Sequence, residues 1–148
     1  MKTILIVILS SIFYQLFAPP APDVITKEQS YQFTILTNPQ FRIYYPLIKA
    51  IVYVESRGND SAFNEKEGAK GRYQIRACRI QEFNKLTGKD YNHNEMFDKW
   101  KSTEVFLYYL KDRDYETVAR CWNGGESGRK TATDGYWKLV SQHLISQL

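Results

Sequence analysis

The sequence predicts a mainly α-helical single domain with little or no strand, preceded by a hydrophobic N-terminal leader helix. Its 148 residues are 43% hydrophobic and 15% aromatic, which is enough for one core and excludes a disordered chain. From about residue 38 onward, apolar residues recur at helical spacing between glycines and prolines that mark helix ends. The run at residues 4–9 is apolar throughout and accounts for the leader.

The first 22 residues have the pattern of a signal peptide or an N-terminal anchor. Lys2 precedes the apolar run, and Ala18 and Ala21 are candidate residues before a cleavage site. The run is short for a full membrane span. We therefore expect an exported protein of the periplasm or cell envelope, either freed from its leader or held at the membrane by it.

Residues 23–37 are expected to form a linker or a poorly defined segment, and residues 38–148 the folded domain. The segment follows a stiff proline-rich stretch at residues 19–22. Its polar character gives little periodicity, and residues 31–36 fit a short strand and a loosely packed helix equally well.

Capping and stop signals divide the domain into helices. Asn38 and Pro39 have the pattern of an N-cap and a first helical residue. Pro46 separates that helix from the next, which Gly58 is predicted to stop. Further helices are predicted over residues 76–87, 99–111, 116–122 and 135–147. Their core-facing residues are predicted to be Ile80, Phe83, Leu86, Val105, Phe106, Tyr109, Leu110, Tyr136, Leu139, Val140 and Leu144.

One carboxylate lies on a stripe that is otherwise apolar. Ile48, Ile51, Val52 and Glu55 fall at i, i+3, i+4 and i+7 of a helix. Desolvation there should raise the pKa of Glu55 above its usual value of about 4.3, so that the group can donate a proton near neutral pH. The alternative is a helix-end glutamate that turns to solvent or pairs with Arg57.

Charge and cysteine content exclude several classes of protein. The net charge of +4 suits an anionic partner such as cell wall, membrane surface or nucleic acid. The absence of a dense Lys/Arg block argues against a nucleic-acid partner. Cys78 and Cys121 could pair in an oxidising compartment, but nothing in the sequence brings them together. His93 and His143 lack metal-ligand spacing, so neither a metal nor another cofactor is expected.

Four short motifs occur in a fixed order along the chain. The Glu55-Ser56 pair comes first, and Gln74 ends a glycine-containing segment, residues 68–74, 19 residues after Glu55. Residues 121–125 then read Cys-Trp-Asn-Gly-Gly, and Tyr136 follows. This order resembles the soluble lytic transglycosylase family of the lysozyme superfamily. That family carries Glu-Ser, Gly-Ala-x-Gly-Leu-Met-Gln, a segment like Ala-Tyr-Asn-Ala-Gly, and a late tyrosine.

The resemblance spans about residues 45–140 and implies a lysozyme-like domain. It departs from the family pattern at two places. Arg72 and Tyr73 stand where Leu-Met is common, which would alter the charge and shape of the cleft. In the third motif Cys121 and Gly124 replace alanines, and Trp122 replaces tyrosine.

The resemblance also implies roles for seven residues. Glu55 matches the catalytic acid, and Ser56 the serine thought to hold substrate or position that acid. Gln74 and Asn123 match residues that line the sugar cleft, and Tyr136 the tyrosine that points toward the acid. Tyr73 and Trp122 are expected to pack on sugar faces. For Trp122 and for Tyr136, packing in the core is the alternative.

The family's reaction is cleavage of peptidoglycan glycan strands without water, metal or cofactor. The implied product is a 1,6-anhydro sugar, formed by one carboxyl that acts as acid and then as base. One alternative is a hydrolytic lysozyme in which Asp60 or Glu65 assists, and another is a non-catalytic wall-binding assembly module. A monomer is expected, with a cell-envelope secretion or conjugation machine as a conceivable partner.

Overall fold

The computed structural model describes residues 26–126 and 130–146. The leader at residues 1–22 and the predicted cleavage sites lie outside these residues. The described chain is mostly helical, as predicted, and its only strands form one small pair. The helices are α1 (Lys27–Thr37), α2 (Pro39–Ile43), α3 (Tyr45–Ser56), α4 (Ala77–Thr87), a 3₁₀-helix (His93–Phe97), α5 (Lys99–Tyr108), α6 (Tyr115–Gly124) and α7 (Lys130–Ile145).

Helix α1 occupies most of the segment that the sequence suggested as a linker. Thr26 begins it with a capping box, in which its hydroxyl accepts from the Gln29 amide and the Gln29 side chain accepts from the Thr26 amide. Ile35 is buried in the core, while Phe33 and Leu36 are exposed. The expectation of a poorly defined segment is therefore wrong for residues 27–37, and helix is the correct alternative for residues 31–36. The weak periodicity arises because only a narrow stripe of this helix is buried.

The helices on either side of Tyr44 begin and end as their signals predict. The Asn38 side chain caps α2 with Pro39 as its first residue, and a proline also lies in the first turn of α3. Helix α3 ends with Arg57 in the left-handed conformation (φ 55°), followed by Gly58 (φ 83°). The glycine allows the turn, but the cap residue itself is the arginine.

The glycine-containing segment forms a tight bend against the 3₁₀-helix. Strands β1 (Phe63–Asn64) and β2 (Ala69–Lys70) pair antiparallel immediately before it. Gly71 has φ 73°, and a Cβ built on it would lie 1.9 Å from the Met96 carbonyl oxygen. Only glycine tolerates both the backbone angle and this approach. The neighbour in this close approach is backbone of the same chain.

The core lies between α3, α5, α6 and α7, and it confirms most of the predicted inward residues. Ile80, Phe83, Val105, Phe106, Tyr109, Leu110 and Val140 are buried. Leu86 and Leu139 are more than half exposed, so their predicted core positions are wrong. Each three-residue step along a helix leaves the side chain about 60° behind the previous one. Leu86, two such steps after Ile80, has therefore rotated about 120° away from the core.

Helices α6 and α7 are fixed to each other by a buried arginine. The Arg120 guanidinium binds Glu116 of its own helix and both Thr133 and Asp134 of α7. Helix α7 begins at Lys130, earlier than predicted. Because α7 also packs along α3, this anchor fixes the position of residues on α7 relative to the end of α3. No helix in the described parts of the chain is both long and apolar enough to cross a bilayer.

Candidate active site

A cavity of about 560 Å³ opens where the ends of three helices meet the bend. The end of α3 forms one wall, the loop around β1 and β2 with the start of α4 forms a second, and the end of α6 with α7 forms a third. Most of the exposed lining is polar. The lining residues are Val54, Glu55, Asn64, Glu67, Gln74, Arg76, Cys78, Arg79, Trp122, Asn123, Gly124, Gly125 and Tyr136.

Glu55 is the half-buried acid of this cavity. Its stripe neighbours Ile48, Ile51 and Val52 are buried as predicted, which leaves the carboxyl at the boundary between core and cavity. The Tyr136 hydroxyl donates a 2.7 Å hydrogen bond to Glu55 Oε1. The expected alternative of a solvent-facing glutamate does not hold.

Burial has the largest effect on the pKa of the Glu55 carboxyl, and it raises that pKa. Desolvation raises the pKa of Glu55 from 4.5 to about 7, against the hydrogen bond from Tyr136, which lowers it. The charge of Glu67 raises the pKa further, and the charges of Arg76 and Arg79 lower it. A carboxyl balanced in this way holds its proton at neutral pH about half the time.

Tyr136 serves this acid as a permanent hydrogen-bond donor. Burial, followed by the charge of Glu55, raises the pKa of Tyr136 well above its ordinary value. The phenol therefore stays protonated over the whole range in which Glu55 titrates. Its contact with the acid agrees with the role implied for the late tyrosine.

Gln74 lies in the cavity wall in a strained backbone conformation. Its φ is 50°, in the left-handed region that non-glycine residues rarely adopt. Its Nε2 donates to the Gly71 carbonyl at 2.9 Å, which fixes the side chain across the bend. Strain of this kind persists where the surroundings hold it and is common at functional sites. Asn123 lies on the opposite wall, at the exposed end of α6.

Ser56 does not line the cavity. Its hydroxyl donates to the Arg72 carbonyl at 2.9 Å and lies 3.2 Å from the Val52 carbonyl. It therefore ties the end of α3 to the bend that carries Gln74. These bonds anchor the residue next to Glu55, and the two roles implied for this serine stay predictions.

Tyr73 is a core residue, so its predicted place on a sugar face is wrong. The side chain is fully buried, and its ring stacks on Phe106 with centroids 4.8 Å apart. Its hydroxyl lies 3.2 Å from the Thr103 hydroxyl, and burial raises the pKa of Tyr73 to about 12. Because Gln74 adopts a left-handed backbone conformation, the side chains of Tyr73 and Gln74 point in different directions, and that of Tyr73 points into the core.

Trp122 also packs mainly in the core, although one edge reaches the cavity. Only 7% of the residue is exposed, and its Nε1 donates to the Tyr73 carbonyl at 3.3 Å. The Arg79 guanidinium lies over the ring, 4.2 Å from its centroid. The ring therefore supports an arginine, and the predicted open sugar platform is not present.

Two arginines and a glutamate of the cavity were missed by the sequence analysis. Glu67 accepts hydrogen bonds from the Arg76 guanidinium at 2.5 and 3.2 Å. Arg76 and Arg79 follow Gln74 by two and five residues and are three residues apart at the start of α4, a spacing that predicts a shared face. The other acids proposed as helpers do not line the cavity: Asp60 pairs with Arg72 at 2.5 Å, and Glu65 is exposed.

The structure is a mostly helical domain with one half-buried acid at the end of a core helix, beside a polar cavity, which is the arrangement that the resemblance to the soluble lytic transglycosylases implies. Comparison with protein-family models matches residues 35–127 to the Transglycosylase SLT domain, and the chain belongs to this family. Neither the curated proteins nor the solved structures give a significant match. Family membership supports a function on peptidoglycan. Tyr136 lies outside the matched range, so its contact with Glu55 is an independent observation.

The described residues hold no cluster suited to a metal ion, since no three His, Cys, Asp or Glu side chains converge in residues 26–126 and 130–146. The cysteines at positions 78 and 121 are free thiols in the structure.

Proposed function

We propose that the protein is a peptidoglycan lytic transglycosylase that cleaves the β-1,4 bond between N-acetylmuramic acid and N-acetylglucosamine and leaves a 1,6-anhydro product. The observation that carries this proposal is the state of Glu55: half-buried in a polar cavity, hydrogen bonded by Tyr136, with its pKa raised to about 7. Such an acid has both of its protonation states available near neutral pH.

The reaction requires one carboxyl in two successive roles. Protonated Glu55 donates its proton to the glycosidic oxygen, and the bond to the muramic acid anomeric carbon breaks. The acetamido group of the same sugar stabilises the cation that remains. Ionised Glu55 then takes the proton of the 6-hydroxyl as its oxygen attacks the anomeric carbon. The carboxyl ends protonated as it began, and no water is consumed.

The carboxyl groups available in the cavity favour the transglycosylase reaction over hydrolysis by two carboxylates. Glycosidases that hydrolyse with an acid and a base or nucleophile need two well-placed carboxyl groups. In the described chain the second carboxyl of the cavity is Glu67, and Arg76 occupies it with two hydrogen bonds. Asp60 is likewise engaged by Arg72. Glu55 therefore acts without a second acid.

The remaining cavity residues bind the glycan. We expect Gln74 and Asn123, which both line the cavity, to hydrogen bond acetyl groups or hydroxyls, and Tyr136, which contacts Glu55, to orient the acid. Ser56 acts indirectly, because its hydrogen bond to the Arg72 carbonyl fixes the bend that carries Gln74. Trp122 lines the cavity, and Tyr73 packs against Trp122 in the core.

The test is digestion of purified peptidoglycan by the wild type and by Glu55→Gln. We expect the variant to fold and to release fragments at least about a thousandfold more slowly, since it lacks the proton that the first step needs. Glu65→Gln, at an exposed position outside the cavity, is the matched control and should keep wild-type activity. Wild-type activity in Glu55→Gln would overturn the proposal.

Product masses separate the alternatives. A transglycosylase gives fragments lighter by one water per cut than those of a hydrolytic lysozyme. A non-catalytic wall-binding module binds the wall and releases nothing. Export to the periplasm or cell envelope, a monomeric state, and a link to a secretion or conjugation machine are part of the proposal on sequence grounds alone.

A further inference from the structure

The strongest unexplained feature of the cavity is Arg79. Its side chain is half-buried in the cavity wall, and its guanidinium contacts other protein groups on one side. Nη2 donates to the Trp122 carbonyl at 3.0 Å, and the rings of Trp122 and Tyr109 lie 4.2 and 4.9 Å from Cζ. An arginine fixed on an aromatic floor is oriented before any ligand arrives, which reduces the entropy lost on binding.

Arg79 has no carboxylate counter-ion among residues 26–126 and 130–146. The nearby acid Glu82 accepts a hydrogen bond from Tyr109 at 3.0 Å and forms no ion pair with the arginine. Burial lowers the pKa of Arg79 from its ordinary value and outweighs the charges of Tyr109, Glu82 and Cys78, which raise it. A half-buried guanidinium with N–H donors facing a cavity is a site for an anion.

The rest of the cavity makes this site more positive. Arg76 and Glu67 neutralise each other, and Glu55 is uncharged in the state that donates its proton. Arg79 is then the uncompensated charge of the lining. The amino end of α4 adds partial positive charge, and the Arg76 side chain at its N-cap makes no capping hydrogen bond.

We propose that Arg79 binds a carboxylate carried by the substituent of the muramic acid residue and thereby selects acidic wall glycan over neutral glycan. This inference rests on the proposed function, because it names which part of the same substrate the site recognises. Two groups have this chemistry. One is the free lactyl carboxylate of a strand stripped of peptide, and the other is a carboxylate on the stem peptide.

The test measures binding in the Glu55→Gln background, where the glycan is not cut. Three oligosaccharides of equal length serve as probes: a strand with free lactyl carboxylates, the same strand with those groups converted to methylamides, and a strand that carries stem peptides. We expect at least one acidic probe to bind about tenfold or more tightly than the methylamide probe, since a charge-assisted hydrogen bond contributes this much. The preferred acidic probe identifies the source of the carboxylate.

Arg79→Gln should abolish this preference while leaving the affinity for the methylamide probe within about twofold. Glutamine removes the charge and keeps an amide donor, and circular dichroism checks that the variant folds. Arg79→Lys keeps the positive charge but loses the planar guanidinium, which can donate two parallel hydrogen bonds to a carboxylate. The lysine variant should therefore retain part of the preference. Arg42→Gln, the same substitution at an exposed site on α2 away from the cavity, is the control and should change nothing.

The outcomes distinguish the two proposals. If glycans bind but the affinity does not depend on the carboxylate or on Arg79, the inference is wrong and the proposed function stands. If no probe binds, both are wrong. Raising the salt concentration gives a second readout, because the preference for the acidic probe should weaken with ionic strength only while Arg79 is present.

Discussion

Glu55→Gln should stabilise the protein, and by an amount that depends on pH. The pKa of Glu55 is raised from 4.5 to about 7 by burial, so the native state holds a proton that the unfolded state releases between these values. Stability from this group is therefore fully present below pH 4.5 and is lost as the pH rises to about 7. At about 1.4 kcal/mol per pKa unit, the loss amounts to about 3 kcal/mol.

Glutamine cannot ionise and can still accept the hydrogen bond from Tyr136. Above about pH 7 the variant should therefore be about 3 kcal/mol more stable than the wild type, and below pH 4.5 the two should be equal within about 0.5 kcal/mol. The free energy of unfolding, measured by urea denaturation at a series of pH values, checks this. Taking the difference between the two proteins cancels the titration of every other group.

The control for this experiment is Glu65→Gln, which removes an exposed carboxylate outside the cavity. It should leave the free energy of unfolding within about 0.5 kcal/mol of the wild type at every pH. A constant difference between Glu55→Gln and the wild type from pH 4 to pH 8 would refute the reasoning, because it would mean that Glu55 has the same pKa folded and unfolded.

Two further substitutions test the acid's partner and the bend. Tyr136→Phe removes the donor at 2.7 Å that favours ionised Glu55, so the alkaline limb of the pH–rate profile should move up by about one pKa unit, with a lower maximal rate; an unmoved limb contradicts this. Gly71→Ala places a Cβ 1.9 Å from the Met96 carbonyl oxygen at φ 73° and should cost about 3 kcal/mol in thermal or urea unfolding. Gly68→Ala, with φ 62° but open space around its Cβ, should cost only about 1 kcal/mol, and equal losses would rule out the contact with Met96.

The sequence predicts the position of the acid because a local pattern is enough to define it. Three apolar residues and Glu55 at helical spacing place the carboxyl where a buried face ends, and the structure puts it there. The capping signal at Asn38 likewise depends only on its own backbone, and the helix start is observed there. Local chemistry of this kind can be deduced without knowing the fold.

Residues whose roles depend on distant neighbours could not be predicted in the same way. Tyr73 and Gln74 are adjacent, yet the first enters the core and the second the cavity, because the left-handed turn between them is imposed by packing of the bend on the 3₁₀-helix. Arg79 acquires its orientation from Trp122, 43 residues later. Helix α1 could not be told from a short strand over residues 31–36, because its polar composition leaves little periodicity.

The central claim, that Glu55 closes an anhydro ring with no water, is tested most directly by digesting purified peptidoglycan in water enriched in heavy oxygen. We predict that the released fragments contain none of the label at their new ends. One heavy oxygen atom on the anomeric carbon of each newly formed muramic acid end would contradict the account, because it would show that water, and not the sugar's own hydroxyl, attacks that carbon.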